Sequence, residues 1–125
     1  MLANKDVMAT IAVKNIDAAK KFYGETLGLK LLPGDLPEVL TYQSGQASVV
    51  VYVSEFAATN RATSATWSVG DEFDAIIKTL QGKGVKFERY DMPEGKLEGD
   101  VHVMGNYKGA WFKDPDGNIL HVLNQ

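Results

Sequence analysis

The sequence predicts an α+β domain built from two βαβββ modules. Three observations carry that reading: a faint internal repeat, the same strand and helix punctuation in both copies, and a pair of hairpin-forming runs after each. "IAVKNIDAAKKFYGETLGLKL", residues 11–31, can be laid on "WSVGDEFDAIIKTLQGKGVKF", residues 67–87. Val13 then falls on Val69, Asp17 on Asp74, Ala18 on Ala75, Lys21 on Lys78, Gly28 on Gly84 and Lys30 on Lys86. The offset is 56 residues at both ends (13 to 69) and 57 through the helix (17 to 74). One residue therefore enters before the second helix and one leaves after it. Generic βαβ punctuation produces some of this similarity by itself; matching order along the whole stretch favours a duplicated module.

Each copy opens with a short β-rich run. A residue suited to capping follows, Asn15 or Asp17 in the first copy and Gly70 or Asp71 in the second. An amphipathic helix comes next, its apolar residues spaced as Phe73, Ile76, Ile77 and Leu80 in the second copy. Gly28 and Gly84 end the helices, because the left-handed residue that closes a helix suits glycine best. Two further strands complete each module: "EVLTYQ" and "ASVVVYV" around "SG", then "YKGAWFKD" and "NILHVL" around "PDG". In "DPDGN", Pro115 and Asp116 suit the two right-handed positions of a type I turn, and Gly117 suits the left-handed position after it. If Asp114 and Asn118 close this hairpin, Lys113 faces Ile119, Phe112 faces Leu120 and Trp111 faces His121. The indole and the imidazole then share one sheet face. Module one covers about residues 1–56 and module two about 64–125. The intervening "SEFAATNRATSAT" reads as a connector whose Glu55, Asn60 and Arg61 can reach a pocket mouth. Residues 92–109 are long for a connection, which predicts a lid or ligand loop, or a short strand such as "DVHV".

Composition narrows the function classes. With 125 residues, 45% hydrophobic and 23% charged, the chain is one ordinary globular domain. No apolar run approaches the roughly 20 residues of a membrane span, and the first residues lack a signal-peptide core. There are no cysteines, so disulfides, thiolate catalysis and zinc–thiolate sites are excluded. The net charge is −3 and the basic residues are scattered, so no nucleic-acid footprint appears. The cytoplasm is the expected compartment. Phosphate-loop, nucleophile-elbow and H-E-x-x-H motifs are absent.

"ATIAVKNIDAAKKFYGETLGLKL" resembles the opening of vicinal oxygen chelate proteins, and "GAWFKDPDGNILHVLNQ" is similar to the motif that closes their domains. That superfamily holds glyoxalase I, extradiol dioxygenases, fosfomycin-resistance enzymes and bleomycin-resistance proteins. The resemblance runs over nearly the whole chain and is weakest in residues 91–107. It implies that the two modules' sheets curl into an incomplete mixed barrel around a ligand cavity, helices outside, commonly in a homodimer. In the enzymatic members a divalent metal is held by first-strand and last-strand residues of each module. Carried over by position, these sites fall on Met8, near Ser64, within Val49–Tyr52 and on His121. Only His121 is a competent ligand, and one of four does not hold a catalytic metal.

The leading expectation is therefore a metal-free, cofactor-free protein that binds a small organic molecule in the cup of the sheet, sequestering or converting it. His121, Trp111, Trp67, Tyr52, Tyr42 and His102 are the candidate ligand-binding residues. The imidazoles can donate or accept a hydrogen bond, Trp67 and Trp111 can form apolar walls, and the tyrosines can add hydroxyls. Each has a blander reading, core packing for the aromatics and simple exposure for His102. A second expectation is a metal-dependent enzyme whose displaced ligand set draws on His121, His102 and Glu55 or Glu98. A third is a domain that mainly supports an oligomer interface.

Overall fold

The computed structural model describes all 125 residues, which divide into two compact units, Met1–Asn60 and Arg61–Gln125. In the first unit, β1 (Ala9–Val13) leads into α1 (Ile16–Lys20). The Asn15 side chain caps that helix, its Oδ1 accepting the Ala18 N–H at 2.9 Å. Residues Lys21–Thr26 then widen into a π-helical turn, closed by the Leu27 N–H donating to the Phe22 carbonyl at 2.9 Å. Gly28, at φ 72°, reverses the chain as expected. Strands β2 (Lys30–Leu31), β3 (Val39–Ser44) and β4 (Ala47–Val53) complete a sheet of order β1-β4-β3-β2, with β1 parallel to β4 and the other pairs antiparallel. Strand alternation sorts its faces. Ile11, Val13, Val49, Val51 and Tyr42 are buried on one, where the Tyr42 ring meets Tyr23 of the π-turn at 6.2 Å. Tyr52, registered with Ala12 and Val39, lies on the other face and is half-buried.

The second unit repeats this plan with one addition. Strand β5 (Thr63–Ser68) is followed by a 3-10 turn at Gly70–Glu72 and α2 (Phe73–Gly82). Neither Gly70 nor Asp71 is the cap of this helix, contrary to the reading of the sequence: Glu72 precedes it and makes no side-chain cap hydrogen bond. Gly70 sits at φ 56°, and the tight turn itself supplies the first helical hydrogen bonds. Strands β6 (Phe87–Glu88), β7 (Lys96–Glu98), β8 (Val101–Met104), β9 (Tyr107–Lys113) and β10 (Ile119–Leu123) follow. The sheet order is β5-β10-β9-β8-β7, and β6 also pairs with β9. Residues 92–109 are thus largely a β7–β8 hairpin and the start of β9, extending the module beyond βαβββ.

Phe73, Ile77 and Leu80 of α2 are buried, as are Leu120, Val122, Phe112, Ala110 and Phe87 on one face of the sheet. Burying such side chains contributes about 1.5–3 kcal/mol each. The Lys108 ammonium reaches the Asp74 carboxylate of α2 at 3.8 Å on this side. The hairpin has the register read from "DPDGN": Lys113 pairs with Ile119, Phe112 with Leu120 and Trp111 with His121. Gly117, at φ 97°, donates its N–H to the Asp114 carbonyl at 3.0 Å. The buried Asp114 carboxylate accepts from the N–H groups of Asp116 and Asn118 and from the Asn118 amide. No helix of the chain is long and apolar enough to cross a membrane.

Candidate functional site

The face of the second sheet opposite α2 carries Trp111 and Gly109 on β9, His121 on β10 and His102 on β8, whose register partner is Gly109. Strand β5 adds two hydroxyls through an irregularity. Ile119 pairs with Thr63 but Leu120 with Ala65, so Ser64 bulges out and Thr63 and Thr66 come onto the same face. The Trp111 indole N–H donates to Thr63 Oγ1 at 3.0 Å, and Thr66 Oγ1 lies 3.2 Å from His121 Nδ1.

Four rings meet here. Trp111 stacks on His121 with centroids 4.2 Å apart and planes 20° from parallel. His102 meets Trp111 edge-to-face at 4.9 Å, and Tyr90 does so at 5.7 Å. Tyr90 and His102 lie 6.0 Å apart. Such contacts contribute about 0.5–1.5 kcal/mol each beyond area burial.

The two histidines differ in hydrogen bonding. Along the far edge of β9, β6 pairs at residues 111–112 and β8 at residues 107–109. Between them the chain leaves the sheet at Tyr90, whose backbone N–H donates to His102 Nε2 at 2.9 Å. A backbone N–H can only donate, so Nε2 accepts and the neutral ring carries its proton on Nδ1. That Nδ1, Tyr90 Oη and His121 Nε2 are all buried without a hydrogen-bond partner. His121 Nε2 lies over Gly109, where a Cβ would stand 2.7 Å from it. Burial holds the His121 pKa below its ordinary value, so this ring is neutral at pH 7. Burial raises the Tyr90 hydroxyl, Glu88 raises it further and Lys113 partly offsets this.

Beside the rings lies a cleft of about 270 Å³, formed by Tyr90, Met92, Gly95, Lys96, Leu97 and His102, with Arg89 and Asp91. Arg89 pairs with Asp100 at 3.3 Å and Lys96 with Glu98 at 3.2 Å.

Among the residues singled out from sequence, His121, Trp111 and His102 come together. His102 is only 2% exposed, not the exposed residue of its bland reading, because Tyr90 and Trp111 cover it. Trp67 does not join Trp111 as a second wall. Its register partner is Val122, which places it on the opposite, α2-facing side. Tyr42 is a core residue of the first unit, its hydroxyl buried and unpartnered, and Tyr52 lies on the other face of that sheet. Sequence reasoning missed Tyr90, Thr63 and Thr66. The threonines had a signal, since module one pairs its first strand with its last, but the bulge that turns both inward had none. Tyr90 follows a two-residue strand and leaves no periodicity to read.

The positions onto which the resemblance carries a divalent-metal site do not fit a metal. Met8 precedes β1 and is 52% exposed, Ser64 is the bulged residue, and Val49–Tyr52 offers no imidazole or carboxylate. His121 has one nitrogen against Thr66 and the other closed over Gly109. Nowhere do three His, Cys, Asp or Glu side chains gather.

A model of the Glyoxalase/Bleomycin resistance protein/Dioxygenase superfamily matches residues 7–122. No curated protein sequence matches. Solved structures do. The glyoxalase family protein from Enterococcus faecalis superposes with a TM-score of 0.73 at 21% identity, over 98% of this chain and 99% of that one. Lactoylglutathione lyase from Agrobacterium tumefaciens gives 0.71 at 14% identity, over 98% and 95%. The fosfomycin resistance protein FosX from Mesorhizobium loti gives 0.70 at 12%, over 100% and 94%. At these identities the likeness is one of fold.

Proposed function

Since the chain belongs to the Glyoxalase/Bleomycin resistance protein/Dioxygenase superfamily, we propose that its second module binds a small organic molecule without a divalent metal. The observation that carries this reading is the Trp111–His121 stack, half-buried on the sheet face that also carries His102, which lines a cleft. A few polar groups among apolar walls are how small-molecule sites are usually built. The emptiness of the metal positions supports binding without a metal. A displaced ligand set is disfavoured because His102 Nε2 already accepts the Tyr90 N–H and Glu98 is an exposed partner of Lys96. His121 faces a threonine rather than a carboxylate and is a weakened base, which favours retention of the ligand over acid–base turnover.

A ligand then lies against the indole and hydrogen-bonds the His121 edge that Thr66 occupies in the free chain. Compounds found by thermal-shift screening are expected to quench tryptophan fluorescence, and Trp111→Phe to reduce that quench. His121→Ala weakens their binding by about 1 kcal/mol, the scale of one hydrogen bond. Ligands that bind with both indoles unperturbed, and equally well to His121→Ala, would overturn the site. We further propose a homodimer. The sheet-edge strands β1 and β5 carry no charged residue to discourage pairing. A one-chain mass by light scattering across a wide concentration range would refute it.

A further inference from the structure

We infer that the cleft beside His102 takes the carbonyl oxygen of a small, neutral, planar compound, with the His102 Nδ1–H as its donor. This rests on the reading that the second module binds a small molecule, and it adds the chemical class and the anchoring group. The first step is the tautomer. The Tyr90 N–H at 2.9 Å fixes His102 Nε2 as an acceptor, so Nδ1 bears a hydrogen. That hydrogen is buried in a residue 2% exposed and has no acceptor in the protein. Buried donors are almost always paired, and an orphan beside a cavity calls for an acceptor from outside.

Tyr90 lines the same cleft and carries a second orphan, its hydroxyl. Burial and Glu88 keep that hydroxyl protonated, so it too can donate. Both donors are neutral. Arg89 and Lys96 each already face a carboxylate, and Asp91 adds a negative charge to the lining. A carboxylate entering here gains no uncommitted cation and loses its hydration, whereas a ketone or amide oxygen gives up less. The volume, about 270 Å³, lies just below the usual range for drug-sized ligands and suits a single ring with one substituent. Met92 and Leu97 supply the apolar contact. Nδ1 and Oη are closed to water in the free chain, so a wall yields as the ligand enters.

The test titrates the full-length chain with acetophenone, α-methylstyrene and benzoate, following the histidine ring nitrogens and indole N–H groups by NMR. α-Methylstyrene keeps the shape of acetophenone but replaces the oxygen with a methylene. Acetophenone is expected to shift the His102 Nδ1 signal and to bind at least tenfold tighter than α-methylstyrene. His102→Met leaves a weak thioether acceptor near the Tyr90 N–H and no donor at all, so it should bring acetophenone to the α-methylstyrene level. If that variant does not fold, the Nδ1 signal of the unaltered chain decides. Equal affinities, an unmoved His102, tighter binding of benzoate, or no binding by any probe would each overturn the inference. If acetophenone moves Trp111 and His121 but not His102, the inference fails while the proposed function stands. If screened ligands also leave both indoles unmoved, the proposed function falls with it.

Discussion

Gly109→Ala tests the stacked site through a residue that no ligand needs to touch. A Cβ at position 109 would stand 2.7 Å from His121 Nε2, 3.6 Å from Cδ2 and 3.7 Å from Cε1. Ordinary contact begins near 3.4 Å, so the ring must retreat by about 0.7 Å. It cannot do so for nothing. Its face is stacked on Trp111 at 4.2 Å, and its Nδ1 lies 3.2 Å from Thr66 Oγ1. The stack contributes about 0.5–1.5 kcal/mol and a hydrogen bond of this kind about the same. Replacing a strand glycine by alanine returns roughly 0.5–1 kcal/mol of backbone entropy. The net expectation for Gly109→Ala is a loss of about 0.5–2 kcal/mol in urea denaturation, with altered tryptophan emission. In a His121→Ala background the obstruction is gone and only the entropy gain remains, so the same substitution should become neutral or stabilising. A cycle in which Gly109→Ala costs the same in both backgrounds would refute the steric argument.

Asp114→Ala removes the acceptor for three hydrogen bonds at the β9–β10 turn and is expected to cost about 2–4 kcal/mol in equilibrium denaturation; a loss below half a kilocalorie per mole would mean that Pro115 and Gly117 alone hold the turn. His121 is held below its ordinary pKa, near 6.5, so the unfolded chain takes up a proton first as pH falls. Its contribution to stability is complete above about pH 6.5 and is lost as pH drops toward the folded value; His121→Asn should flatten that part of the stability–pH curve, and an unchanged slope would place the titration elsewhere. Gently purified protein is expected to lack stoichiometric metal; elemental analysis giving near one zinc, iron, manganese or nickel per chain, lost in His121→Ala, would reverse the proposed chemistry.

The fold was legible where sequence constrains the backbone locally. Asn15, Gly28, Gly84 and the "DPDGN" turn punctuate the chain, and the turn sets the β9–β10 register, which places His121 beside Trp111. Legibility ended where position depends on a partner strand. Alternation along β5 cannot reveal that a bulge at Ser64 brings Thr63 and Thr66 to one face. Nor does it reveal that Trp67, registered with Val122, turns away from Trp111. A short strand at "DVHV" is one of the alternatives the sequence offers for residues 92–109, but the burial of His102 there depends on Tyr90, which folds over it from beyond β6.

The repeated plan also bears on why both imidazoles and the stacked indole lie in one unit. Both units put their last strand between the first strand and an antiparallel neighbour, so each has a comparable second face. In the first unit that face offers Thr10, Ala12, Val39, Thr41, Val50 and Tyr52, with one aromatic hydroxyl and no imidazole. The second unit places two histidines and an indole at related positions and adds a hairpin whose His102 fastens Tyr90 to them. A scaffold stabilised on its helix-facing side leaves the opposite side free to diverge, because substitutions there remove little buried area. The residues that do resist water on that side, His102 and Tyr90 Oη, carry polar atoms that the fold itself does not satisfy. The Tyr42 hydroxyl is also buried without a partner, but it sits in the first unit's core, whereas His102 and Tyr90 line a cleft, which is where an external ligand has the most to contribute.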